Sequence, residues 1–156
     1  MLKRLQFLFA PQVPEASSDT GARDLSLAIC VLLLEAAQAD DVFTPEERDY
    51  VIRTLKERYE LNDEEAETLM EHASSERENS VDLWQFTNRL NERMNRDEKQ
   101  EVLSEVWEVI YADGKLDAHE DYLAHRLAAL LNLSHGDFIA AKLEAQDRLR
   151  GGAPPV

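Results

Sequence analysis

A nine-residue phrase occurs twice in this chain, and its recurrence constrains the fold more than any other feature. Ala112-Asp113-Gly114-Lys115-Leu116-Asp117-Ala118-His119-Glu120 has an earlier counterpart in Ala39-Asp40-Asp41-Val42-Phe43-Thr44-Pro45-Glu46-Glu47. Each copy follows an apolar run carrying a glutamate, Glu35 or Glu108, and equivalent residues lie 73 positions apart. A supersecondary unit used twice implies two related halves that share one core. It also places acidic side chains at matching points of both halves.

The halves read as helical. Only five glycines and five prolines punctuate 156 residues, and two of each fall in the tail after Arg150. Such scarcity of breakers favours helices over strands and turns. Thr44-Pro45-Glu46-Glu47 supplies an N-cap, a proline at the first helical position and a glutamate at N3, which together form a capping box. Asn62-Asp63-Glu64-Glu65, Asn95-Arg96-Asp97-Glu98 and Asp117-Ala118-His119-Glu120 repeat that logic, and Ser80 and Ser134 are simpler caps. Apolar residues between these starts keep helical spacing. The stripes are Tyr50, Val51, Thr54, Leu55; Ala66, Leu69, Met70, Ala73; Leu83, Phe86, Leu90, Met94; Val102, Leu103, Val106, Val109, Ile110; and Leu123, Leu127, Leu130, Leu131 followed by Phe138, Ile139, Leu143.

About seven helices follow, near 22–38, 45–59, 63–73, 81–93, 96–111, 118–131 and 135–149. The segment 22–38 is apolar nearly all round, which marks it as central, with 96–111 as its counterpart. The fold class is all-α, a compact bundle of two related helix–turn–helix halves with sequential helices as antiparallel neighbours. Residues 1–20 read as an N-terminal arm and linker, 21–149 as the helical domain and 150–156 as a tail. Trp84 and Trp107 fall among the apolar stripes and read as core.

With 44% hydrophobic residues the chain can bury a core despite 31% charged ones. A net charge of −15 argues against nucleic acid or an anionic membrane as the main partner. Cations, basic proteins and simple solubility are left. Cys30 is the one cysteine, so no disulfide forms within the chain, and its apolar neighbours make it a buried hydrophobe suited to a reducing cytoplasm. Its surrounding run, closed by Arg23-Asp24 and Glu35, is too short to span a bilayer. The basic and apolar start, Met1 to Ala10, falls short of a secretory signal and reads as a short arm that packs on the body, with weak contact to a membrane surface as the lesser alternative.

The repeated phrase supports two chemistries. Glu35 and Glu108 lie near helix C-termini, where the dipole disfavours carboxylates by a few tenths to about 1 kcal/mol each. Free helix-end carbonyls lie nearby. Carboxylates and carbonyls without cysteine suit a hard cation such as Ca²⁺ or Mg²⁺ better than Zn²⁺. Against this, Thr44, Glu47, Asp117 and Glu120 are accounted for by capping, and Asp113-Gly114 by a turn. Two sharper motifs fail. An EF-hand frame with Asp113 at position 5 and Glu120 at position 12 places Val109 and Tyr111 where ligands are needed. His119 and His125 are six apart, whereas a zincin helix needs four, so His72, His119, His125 and His135 read as surface residues. No nucleophile–base pair, phosphate loop or Cys-x-x-Cys stands out, so an enzyme is not expected.

The doubled Ala-Asp-Gly-x-Leu-x-x-x-Glu phrase resembles the TerB family, bacterial proteins tied to tellurite resistance. A similar domain forms the N-terminal part of certain membrane-anchored DnaJ-type co-chaperones. The resemblance spans roughly residues 22–145. It implies an all-helical fold of two related halves whose paired acidic motifs bind a divalent cation. Carried onto this chain, the implied ligands are Asp40, Asp41 and Glu47 in the first copy and Asp113, Asp117 and Glu120 in the second. Glu35 and Glu108 lie one turn upstream. Asp41 stands where glycine is usual and Thr44 stands opposite Asp117, so the first site departs from the family pattern.

The expectation is thus a cytoplasmic, non-enzymatic domain binding Ca²⁺ or Mg²⁺ within a stress-response or envelope-associated assembly. The alternative is a metal-free adaptor whose acidic helical surface docks a basic protein partner.

Overall fold

A computed structural model describes residues 16–38, 44–80, 82–111 and 118–151. Seven helices make up the described residues: α1 (Ala16–Ala37), α2 (Pro45–Tyr59), α3 (Asp63–Asn79), α4 (Trp84–Arg93), α5 (Arg96–Ile110), α6 (Ala118–Leu130) and α7 (His135–Gly151). Their order follows the 73-residue offset: α2 begins at Pro45 and α6 at Ala118, while α1 ends at Ala37 and α5 at Ile110.

α1 is the hub. Its residues Ala28 to Leu34 are all fully buried, and α2, α3, α4, α5 and α6 all pack on it. A helix surrounded on every side needs no polar face, which is why this run reads as continuously apolar. Each leucine so buried contributes roughly 1.5–3 kcal/mol relative to exposure. α5 is the second buried helix, and its most extensive packing is against α7, as that of α1 is against α3.

Capping sets the helix starts. Thr44, Asn62 and Asn95 each accept from the N3 backbone N–H while the N3 glutamate reaches back, as the sequence predicts. At α7 the same reciprocal pair forms between Ser134 and Asp137. The Asp117 cap lies outside the described residues. Two tight helix ends put non-glycine residues in the left-handed region, Glu60 at φ 56° and Asn132 at φ 58°.

Several expectations are corrected. α1 starts at Ala16, inside the expected linker, and α3 continues to Asn79 rather than ending near 73. Ser80 caps the C-terminus of α3 instead of starting α4. α4 begins at Trp84 with no side-chain cap from Leu83, and Asp82 Oδ1 accepts from the Trp84 N–H. Trp84 itself is 58% exposed, because Leu83, Phe86, Leu90 and Met94 already supply the inner face of α4. Ile139 and Leu143, placed in the core stripe by periodicity, are 38% and 53% exposed. The inner face of α7 is instead Phe138, Ala141, Ala145 and the half-buried Arg148. Arg148 must face α5 to meet its partners there, and that rotation turns Ile139 and Leu143 outward. Cys30 is fully buried, and burial pushes its thiol pKa up to about 12.

Candidate functional site: the motif glutamates and their arginines

The glutamates upstream of the two motifs are each gripped by an arginine from the third helix of their own half. Glu35, near the end of α1, accepts from Arg77 Nε of α3 at 2.6 Å, and Arg77 also donates to Gln38. Glu108, near the end of α5, accepts from Arg148 Nη1 of α7 at 2.7 Å. A guanidinium beside a helix C-terminus answers both the carboxylate and the negative end of the dipole. These arginines thus resolve the electrostatic problem that the placement of Glu35 and Glu108 poses.

The second half carries the more elaborate network. Arg148 Nη2 contacts both oxygens of Glu101 at 2.8 and 2.7 Å and Glu144 Oε1 at 2.5 Å, and Nη1 also reaches Ser104 Oγ at 3.3 Å. α2 adds two phenols: Tyr50 donates to Glu108 at 2.8 Å and Tyr59 to Glu105 at 2.5 Å. Glu101, Glu105 and Glu108 are all buried and recur at the spacing of one helix face. α5 therefore presents an acidic edge that ties α2 and α7 to it.

The electrostatics fit this arrangement. Burial works against the charge on Arg148, but hydrogen bonds to Glu108 and Glu101 outweigh it and raise its pKa. Burial, and then a hydrogen bond with Glu101, raise the Glu144 pKa, while Arg148 opposes the rise. At the other end of α7, Arg96 donates twice to Asp137 Oδ1, at 2.8 and 2.5 Å. That pair, helped by Ser134, lowers the Asp137 carboxyl to about 2 even though its burial opposes the shift.

Glu47 and Glu120 occupy the first turns of α2 and α6 and are 1% and 2% exposed. Glu47 Oε1 accepts from both the backbone N–H and the hydroxyl of Thr44, at 2.9 and 3.2 Å. Asp40, Asp41, Asp113 and Asp117 lie outside the described residues. Among the described residues no group of three carboxylate, imidazole or thiol side chains converges as a metal-ligand set. His72, His125 and His135 are exposed, as expected of surface residues. A cleft of about 130 Å³ beside Glu35, lined by Arg77, Ser80, Asp82, Leu83 and Arg126, is smaller than usual small-molecule sites.

Sequence reasoning missed Glu101 and Glu105. Their signal was present: acidic residues at 101, 105 and 108, threaded through an otherwise apolar helix, need partners on one face.

The family model described as tellurite resistance protein TerB matches residues 26–143, from within α1 to the middle of α7. The chain belongs to the TerB family. The fold has a parallel in a crystal structure of a protein of unknown function from Porphyromonas gingivalis W83. The two share 19% identity and a TM-score of 0.60, over 80% of this chain and 89% of that one. At that identity the likeness concerns the fold alone. No curated protein matches the chain. Among the described residues of this TerB protein, no helix is long and apolar enough to cross a membrane.

Proposed function

We propose that this TerB protein is a non-enzymatic domain that binds a divalent cation, Ca²⁺ or Mg²⁺, through its two acidic motifs. Asp40 and Asp41 in the first motif and Asp113 and Asp117 in the second supply the hard oxygen donors, together with Glu47 and Glu120. Glu35 and Glu108 serve as struts in this reading, held by Arg77 and Arg148 so that the ends of α1 and α5 stay fixed. The carrying observation is the matched burial of Glu47 and Glu120, 73 residues apart in sequence and each closing one copy of the acidic phrase. Buried carboxylates are retained where they are hydrogen-bonded, paired or coordinated. Family membership supports the reading, and a tellurite-resistance-type or envelope-associated assembly is the setting we infer from it.

The test is thermal unfolding after chelation, with Ca²⁺, Mg²⁺, Mn²⁺ and Zn²⁺ added in turn. A ligand at 100 times its dissociation constant stabilises by about 2.7 kcal/mol. Asp40→Asn/Asp113→Asn should lose that gain while keeping the fold. An ion-dependent gain that survives both changes would place the cation elsewhere.

The adaptor reading is favoured by one observation. α3 carries seven acidic residues against one basic residue, and Asp63, Glu64, Glu65, Glu71 and Glu78 are exposed. Capture of a basic partner that is lost in high salt but insensitive to chelator would support it.

A further inference from the structure

We propose that two copies of this chain pair through the outer ridge of α7, crossing antiparallel about a two-fold axis near Ala141. His135, Ile139, Leu143 and Asp147 are four residues apart in succession, and all four are exposed. Rows at this spacing are the ridges that interlock when helices pack, with axes crossing at about −50°.

This ridge is complementary to itself. Read in opposite directions about position 141, Ile139 of one copy stands opposite Leu143 of the other, and His135 opposite Asp147. An isologous interface requires that reciprocity, because each copy offers the same patch. Neither His135 nor Asp147 has an ion pair among the described residues, and the His135 ring, stacked on Phe138 at 5.9 Å between centroids, is still exposed. The apolar centre is exposed because Arg148 fixes the rotation of α7, as described above.

Charge distribution points to a second copy as the occupant. The chain as a whole is at −15, which opposes self-association through most of its surface. α7 carries three acidic and three basic residues, whereas α3 carries seven and one. Pairing through α7 brings together the neutral helices and leaves the acidic ones apart. One helix pair is a small interface, so a reversible association in the micromolar range is expected.

Sedimentation equilibrium on the full chain at pH 6 tests this. From about 5 to 500 µM the chain should pass from monomer to dimer. Leu143→Glu should weaken the dimer at least about tenfold. His135→Asp should weaken it too, by setting acid against acid, and His135→Asp/Asp147→His should restore it, since the swap rebuilds the pair in both copies. All three changes are at exposed positions, and unchanged helical circular dichroism verifies folding. A monomer throughout the range overturns the proposal and leaves the ridge to another occupant. A dimer indifferent to Leu143→Glu, or a double swap weaker than His135→Asp alone, overturns it as well.

Discussion

Arg148→Met is the most informative single substitution for the architecture. The guanidinium makes charge-assisted hydrogen bonds to Glu101, Glu108 and Glu144, and the first two carboxylates are 2% and 5% exposed. Removing one partner of a buried ion pair costs about 3–5 kcal/mol, because the remaining charge stays desolvated. Two features place this case at the low end. Arg148 is itself 26% exposed, and Glu108 keeps its hydrogen bond from Tyr50. The expected loss is therefore about 3 kcal/mol at pH 7.5. With a urea m-value of about 2 kcal/mol/M, the unfolding midpoint should drop by about 1.5 M. Fluorescence of the buried Trp107 and circular dichroism at 222 nm would follow the transition. A loss below about 1 kcal/mol would refute the reasoning. Arg126→Met, at an exposed arginine, is the control and should change stability by less than about 0.5 kcal/mol.

Asp137→Asn should cost about 1 kcal/mol at neutral pH, mainly through the α7 cap, since the exposed Arg96 contributes little through solvent. The folded carboxyl, at about 2, lies below its unfolded value, so its contribution is complete above about pH 4 and fades as pH falls through 2. Denaturation curves between pH 5 and pH 2 should therefore converge for the two proteins, and parallel curves would contradict the assignment. Thr44→Ala should lower stability by about 1 kcal/mol in urea denaturation, having removed one side of the α2 capping box. Cys30, fully buried with its pKa at about 12, should resist a thiol-specific dye at pH 8 until the chain unfolds. Prompt labelling of the native protein would show that α1 is not the closed hub described above.

The fold was legible because local and global signals agree in most segments. Capping residues mark where α2, α3, α5 and α7 begin, and the unbroken apolar run from Leu27 to Leu34 reads as a helix covered on all sides. On α7 periodicity places Phe138 correctly in the core but adds Ile139 and Leu143, and it gives Arg148 no role. Those two turn outward and Arg148 inward once Glu101 and Glu108 demand a cation from the facing helix. Hydropathy alone cannot register that demand, because it depends on which two helices meet. Trp84 misled for a related reason: size and aromaticity argue for burial, but the inner face of α4 is already filled by Phe86 and Leu90. The motif glutamates were visible in sequence as anomalies of the helix dipole. The resolution of that anomaly by Arg77 and Arg148 needed the third helix of each half in place.

Direct calorimetric titration of divalent cations into the chelator-stripped chain tests the central claim most closely. The account predicts saturable binding of Ca²⁺ or Mg²⁺ that is abolished by Asp40→Asn/Asp41→Asn together with Asp113→Asn/Asp117→Asn. It also predicts that Arg148→Met weakens binding at the second motif while leaving the first intact. Heats no larger than dilution for every ion, from a chain shown to be folded, would contradict it and leave the acidic surface of α3 as the seat of function.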